Sequence, residues 1–192
     1  MHLRGKSNFL RDHPAIPAEG LANVVIEIPA GTNAKWEAAK DGESIDWEIK
    51  RGKPRVVQYL AYPGSYGMIP RTALPKELGG DGDPLDLLVL GPAIARGNVV
   101  AVRPVAVLKM LDGGERDDKI IAVQSEGPLS DVRDLASLNA SYPGATSIVE
   151  IWFSSYKGPG RMQARGWADA AAAQKVVREA SRYYEQAANA TR

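Results

Sequence analysis

The densest chemistry in the chain lies in Gly79-Gly80-Asp81-Gly82-Asp83-Pro84-Leu85-Asp86, where three carboxylates fall within six residues. Burying one edge of such a loop is costly unless positive charge compensates it. A hard divalent cation such as Mg²⁺, which prefers oxygen ligands in octahedral geometry, would do so. The glycines let the backbone turn tightly around an ion, and Pro84 stiffens the approach to Asp86. The bland alternative is a solvated acidic turn. A calcium-binding EF-hand does not fit, because its loop needs Gly at position six and Glu at position twelve, where this chain has Asp86 and Pro92.

A second acidic turn, Met110-Leu111-Asp112-Gly113-Gly114-Glu115-Arg116-Asp117-Asp118-Lys119, lies between two predicted strands. If it faces the first, the two loops make a site for several divalent ions. Such sites serve phosphoryl chemistry, in which metals orient a nucleophile and shield the leaving oxygens. A phosphate substrate would also need cations and donors. Lys35, Arg55, Lys119 and Lys157 are candidates, as are Tyr62, Tyr66 and Tyr156, although each alone is more often a surface charge or a packed ring. Tyr62-Pro63-Gly64-Ser65-Tyr66-Gly67 reads as a loop presenting two hydroxyls. Gly5-Lys6-Ser7 resembles the end of a P-loop but lacks the earlier Gly and the preceding strand.

The elements that must position these groups are mostly strands. Ala22–Ile28, Ser44–Lys50, Arg55–Ala61, Leu85–Leu90, Asn98–Met110 and Lys119–Val123 are predicted as β, with a turn at Arg51–Pro54. Pro104 inside the longest run predicts a bulge or an edge position. Three helices follow. One is capped at Ser130-Asp131, and one starts near Pro143 with Ile148, Val149, Trp152 and Phe153 on one face. The third is amphipathic from Asp169 to Ala188, with Val176, Ala180, Tyr183 and Ala187 recurring along it. The order, strands and then helices, implies an α+β fold, mainly β, with a barrel or twisted sheet and helices packed on one side. Residues 1–20 read as an irregular arm, and 21–192 as one catalytic domain.

Composition excludes several chemistries. The 192 residues contain no Cys and only His2 and His13, so thiolate catalysis, Cys-ligated zinc and iron–sulfur clusters are out, and a histidine-based site is disfavoured. A net charge of +1 gives no general attraction to nucleic acid or anionic lipid. No apolar run approaches the ~20 residues of a membrane span. The first twenty residues do not form an intact signal peptide. A cytoplasmic protein is the expectation, and an exported form with a removed signal stays open.

Six segments in order resemble the family I soluble inorganic pyrophosphatases: Val25–Pro29, Asn33–Glu37, Tyr62–Gly67, Asp81–Asp86, Val107–Met110 with Asp112, and Tyr156-Lys157. Asp81-Gly82-Asp83-Pro84-Leu85-Asp86 matches the D-G-D-P-x-D signature without departure. The resemblance implies an OB-like five-stranded barrel with C-terminal helices packed on it, hydrolysing pyrophosphate to two phosphates with metal-activated water. It implies several Mg²⁺ ions per site, with Mn²⁺ or Zn²⁺ as substitutes. Asp81, Asp86 and Asp117 would hold the ions that activate water, Glu37 and Asp112 those arriving with substrate, with Glu27 at the rim. Asp83 and Tyr66 would be catalytic, Asp83 accepting the water's proton or orienting the hydroxide. Lys35, Arg55, Tyr66, Lys119, Tyr156 and Lys157 would hold phosphate oxygens, with Tyr62 lining the same cavity. The segment before Tyr62 permits Arg51 or Arg55 as the phosphate-binding residue, and Gly52–Val57 favours Arg55. Asp117 is preferred over Asp118 from its spacing to Asp112 and Lys119. A homo-oligomer is implied, although Ile151 and Ser155 stand where bacterial hexamers often carry His.

Three other classes compete. An OB-like nucleic-acid module would need a basic face with exposed aromatics, which the near-neutral charge and 7% aromatics oppose. A calcium-binding structural domain would bind metal without turnover. A phosphohydrolase acting on nucleotides would need a base pocket, and the small polar loops suggest none.

Overall fold

The computed structural model describes residues 1–76, 79–80 and 82–190. Five strands close into a ring: β2 (Ala22–Ile28), β7 (Ser65–Met68), β8 (Asp86–Leu90), β11 (Lys119–Gln124) and β9 (Val99–Asp112). β2 pairs with β7, β7 with β8, β8 with β11 and β11 with β9, and β9 returns to β2 through Val99–Val102 against Ala22–Val25. Only the β8–β11 pair is parallel. This is the expected OB-like barrel, whose interior at this size is filled by side chains.

β8 and β11 read as continuous apolar runs because both of their faces are covered. Leu88, Leu90, Ile121 and Val123 join a cluster with Leu138, Val149, Trp152 and Phe153, whereas Leu87, Val89, Ile120 and Ala122 join Ala173, Val177 and Ala180. The covering helices are α1 (Leu135–Ser141), α2 (Ala145–Ser155) and α3 (Ala170–Ala190). Pro104 produces the expected bulge. Ile121 opposes Ala106 and Ala122 opposes Pro104, so Val105 is the extra residue.

Several sequence expectations shift. α1 is capped by Asp134, whose carboxylate accepts the Ser137 N–H, rather than by Ser130-Asp131. On α2, Val149, Trp152 and Phe153 are buried but Ile148 points outward at 61% exposure. Asp169 accepts the Ala172 N–H at the start of α3, as expected. Val177 and Ala173 mark the buried face of that helix more than Val176 or Ala187 do. Arg55–Ala61 is not a strand and makes only the isolated bridge Ala34–Val56. β12 (Met162–Asp169), unforeseen, pairs with the far half of β9. No helix among the described residues is long and apolar enough to cross a membrane.

The arm is less irregular than its sequence suggests. β1 (His2–Arg4) pairs with β4 (Ser44–Trp47), which pairs with β3 (Trp36–Ala38). Phe9 enters a small core with Val25, Trp36, Ile45 and Met68. Asn8, nearly buried, donates to the Asp41 carbonyl and the Glu43 carboxylate while accepting the Leu10 and Arg11 amides. β5 (Ile49–Lys50) and β6 (Lys53–Pro54) form a short hairpin, and β10 (Glu115–Arg116) folds back on β9.

Candidate active site

The two acidic turns meet at one end of the barrel. The Arg116 N–H donates to the Gly79 carbonyl at 2.8 Å, and Gly80 and Gly82 amides bond to Pro75 and Leu74, so the first loop is fastened to the second. Between them lies a cavity of ≈ 230 Å³ lined by Asp83, Asp86, Asp112 and Asp117, with Lys35, Glu37, Arg55, Tyr66, Lys119, Tyr156 and Lys157 around it. Asp81 lies outside the described residues.

Lys119 is the pivot. Its ammonium is buried with 1% of the side chain exposed, and it donates to Asp86 and to Asp117, the latter at 2.5 Å. A buried ammonium survives only with such partners. Burial disfavours charge on Asp86, but the adjacent ammonium outweighs it and holds this carboxyl below its usual range. Burial and the neighbouring Asp86 push Asp117 the other way, to about 6, against the pull of Lys119. Two carboxylates sharing one cation leave surplus negative charge at the base of the cavity.

β2 and β3 build the opposite wall. Glu27 is 5% exposed, and its carboxylate accepts the Ala38 N–H at 2.6 Å. Burial raises its pKa to about 7, with Lys35 opposing. Burial also disfavours charge on Lys35, yet the neighbouring Glu37 and Glu27 carboxylates keep it firmly protonated, and it pairs with Glu37 at 2.9 Å. Arg55 reaches the cavity while bonded to Glu48 at 2.6 Å. Arg51, with φ 52°, sits exposed in the hairpin turn.

The end of α2 supplies the third side. Lys157 pairs with Asp112 at 2.6 Å, and Arg161 grips the other oxygen of the same carboxylate. Although burial opposes it, these bonds hold Asp112 below its usual range. Behind Tyr156 stands Trp152, stacked on it at 4.7 Å between ring centres, 4.3 Å from the Tyr62 ring, and donating to the Leu60 carbonyl. Burial raises the pKa of Tyr66 and Tyr156 and pushes Tyr62 up to about 12. These phenols therefore stay protonated at neutral pH, Tyr66 and Tyr156 as hydrogen-bond donors on the cavity wall.

Two placements differ from expectation. Tyr62–Gly67 is not an open loop: Tyr62 and Tyr66 are buried, and Ser65–Met68 is a barrel strand. Tyr62 stands behind Tyr66, 5.1 Å away between rings, instead of on the cavity surface. Glu27 does not line the first cavity but an adjoining one that shares Lys35, Glu37, Asp83 and Asp86 with it. Arg116 and Arg161 were not foreseen, and Asp118, weighed in the sequence only as an alternative to Asp117, has a different place. Asp118 is buried, bonding the Met110 amide and Arg116, so it fixes the turn while Asp117 points inward. The short spacing of Arg116 to Asp118 was the available signal.

Chemically, this is an oxygen-only donor set ringed by cations. Among the described residues no three carboxylate or histidine side chains gather closely enough to form a metal centre by themselves. Lys119, Lys157 and Lys35 each pair with carboxylates that would serve as ligands, so positive charge already sits beside them. Such hard oxygens fit Mg²⁺ and give a soft metal nothing to bind.

Residues 24–185 match the family described as inorganic pyrophosphatase. An inorganic pyrophosphatase from Nostoc sp. is 34% identical over 176 residues, 90% of this chain and 96% of that protein. The crystal structure of inorganic pyrophosphatase from Thermus thermophilus is 31% identical with a TM-score of 0.79, over 93% of this chain and 99% of its own. The N-terminal-domain-truncated vacuolar soluble pyrophosphatase of Trypanosoma cruzi, solved with PPi, is 26% identical with a TM-score of 0.85, over 98% of this chain and 78% of its own.

Proposed function

This chain belongs to the inorganic pyrophosphatase family, and from that membership we propose how its own side chains divide the hydrolysis of inorganic pyrophosphate into two phosphates. The observation that carries the proposal is the convergence, in one cavity, of carboxylates from two turns with Lys35 just before β3, Lys119 of β11 and Lys157 just after α2. Pyrophosphate is a compact polyanion, and the barrier to attack on it is largely the repulsion of its own oxygens.

Lys35, Arg55, Lys119 and Lys157 neutralise those oxygens, and Tyr66 and Tyr156 donate hydrogen bonds to them. Asp81, Asp86, Asp112, Asp117 and Glu37 would hold Mg²⁺ ions, with Glu27 at the rim. When bound, the ions add shielding charge and make nearby water a stronger acid. Asp83, exposed at the loop tip, takes the proton of the attacking water on its carboxylate and keeps the nucleophile oriented. Tyr66, beside Lys35 and Lys119, steadies the oxygen on which charge builds. Mn²⁺ or Zn²⁺ would substitute with altered efficiency. We read residues 1–20 as an arm on a single catalytic unit spanning 21–192. Homo-oligomer formation, also proposed, would cover Ile148 and Ile151 on the outer side of α2.

Phosphate release from pyrophosphate, followed with Mg²⁺ and then with a chelator, tests the assignment. Rapid release that stops on chelation is expected. Unchanged release in D86N would remove Asp86 from the site.

A further inference from the structure

We propose that Arg96 is a positioning residue that locks the Glu27–Glu37 wall of the site together from behind. It lies between β8 and β9, outside both cavities described above. Its guanidinium carbon sits 4.1 Å from the centre of the Trp36 ring, and its Nε donates to the Glu27 carbonyl at 2.7 Å. One planar cation thus touches β2 at the backbone of Glu27 and β3 at the residue flanked by Lys35 and Glu37.

The remaining ties show why this contact matters. β2 and β3 belong to different sheets, and no backbone ladder joins them. Glu27 accepts the Ala38 N–H, but that link uses the same carboxylate that stands at the rim of the site. Arg96 supplies a connection that leaves the carboxylate free. Its own segment is anchored, since the Gly97 N–H donates to the Ile26 carbonyl at 2.8 Å and Ile26 to the Asn98 carbonyl at 2.9 Å. Trp36 in turn stacks on Trp47 at 5.5 Å, so the guanidinium closes a cation–indole–indole column under β3. A guanidinium does this in a way an ammonium cannot, because it lies flat on a ring while donating sideways in its own plane. Groups that orient metal-binding side chains commonly change metal affinity about ten-fold or more when removed.

The inference rests on reading Glu27 and Glu37 as metal-side carboxylates, and the test separates the two. Mn²⁺ binding to the full-length protein, held with the non-hydrolysable pyrophosphate analogue methylenediphosphonate so that the substrate-side ions are present, is measured by electron paramagnetic resonance for wild type, R96M, R96K and E27Q. Thermal unfolding and the Mg²⁺ dependence of turnover are recorded alongside. R96M is expected to bind Mn²⁺ about ten-fold more weakly, with kcat largely recovered at saturating Mg²⁺. R96K is expected to shift in the same direction, and it serves alone if R96M does not fold. Wild-type Mn²⁺ affinity in the folded Arg96 variants, with E27Q weakened, overturns the role of Arg96 while sparing the site. Unchanged affinity in E27Q as well overturns both.

Discussion

Asp86 and Lys119 stand directly opposite one another in the parallel pair of β8 and β11, and the Lys119 ammonium joins that carboxylate to Asp117, two residues earlier in the turn that leads into β11. The lysine is the first residue of β11, so barrel register decides which carboxylates it serves.

Lys119→Met is expected to leave Asp86 and Asp117 facing each other without a cation. Breaking a buried pair in this way costs on the order of 3–5 kcal/mol. Millimolar Mg²⁺ should restore more stability to the variant than to wild type, because a divalent ion replaces the missing charge. Thermal unfolding with Mg²⁺ and with chelator measures both; equal Mg²⁺ stabilisation of the two proteins would count against the shared role.

Asp83→Asn is expected to lower kcat by about 10²-fold or more, the usual size of a lost general base. Melting temperature should hardly move, because the side chain is exposed at the loop tip. Steady-state phosphate release and circular dichroism check the pair of outcomes. A kcat near wild type would transfer the base role elsewhere.

Glu27 carries a pH signature. Its folded pKa of about 7 lies above the ordinary value of 4.5, so the native state holds this proton more tightly than the unfolded chain does. That contribution is full below about 4.5 and is lost as pH rises through about 7. It amounts to at most about 3 kcal/mol. Urea unfolding of chelated protein should therefore show a fall in stability from pH 5 to pH 8 that E27Q reduces, leaving the smaller part that the raised Asp117 carboxyl supplies as pH passes about 6. A parallel fall in E27Q would place the titrating group elsewhere.

Metal binding should be linked to protons through Asp117. With its carboxyl raised to about 6 by burial and by Asp86, an ion arriving near pH 6 must displace a proton that is mostly gone by pH 8. Calorimetric titration of Mg²⁺ in buffers of differing ionisation enthalpy reads the number released. Identical proton release at the two pH values would contradict the assignment.

Gly67→Ala tests the wall itself. A Cβ there would lie 1.8 Å from the Val25 carbonyl oxygen on β2, and its nearest neighbours are all β2 backbone atoms, with no flexible group to yield. Loss of several kcal/mol, on the order of 3 or more, is expected in urea unfolding. A change within experimental error would mean that β2 and β7 separate more easily than their close approach indicates.

Much of this was legible in the sequence. β2, β9 and β11 announce themselves as runs rich in β-branched residues and β8 as a short apolar run, because the barrel and its helices bury most of their length. Pro104 marks its own bulge, and the carboxylate clusters stand out because Gly and Pro leave them no apolar neighbours to hide among. What failed was set by partners rather than by local pattern. β12 has no alternation of its own and is a strand only because β9 is long enough to pair with it. Tyr62 and Tyr66 sit in a Pro-Gly segment that looks like a loop until β8 is placed beside it. Ile148 shares the spacing of Val149 and Trp152, but α2 meets the barrel along a stripe that excludes it. Pairings such as Lys119 with Asp86 depend on strand register, which no short-range signal encodes.

The return of β9 to β2 also bears on how the protein comes into being. Ala22–Val25 must wait for Val99–Val102 before the ring can shut, and contacts between segments so distant are slow to form. On a translating ribosome the carboxylate turns would emerge one after another with nothing to hold them in register, and Tyr156 and Lys157 arrive last. A nascent chain would thus remain catalytically silent until synthesis has passed Lys157, and then acquire the whole apparatus in a single late step.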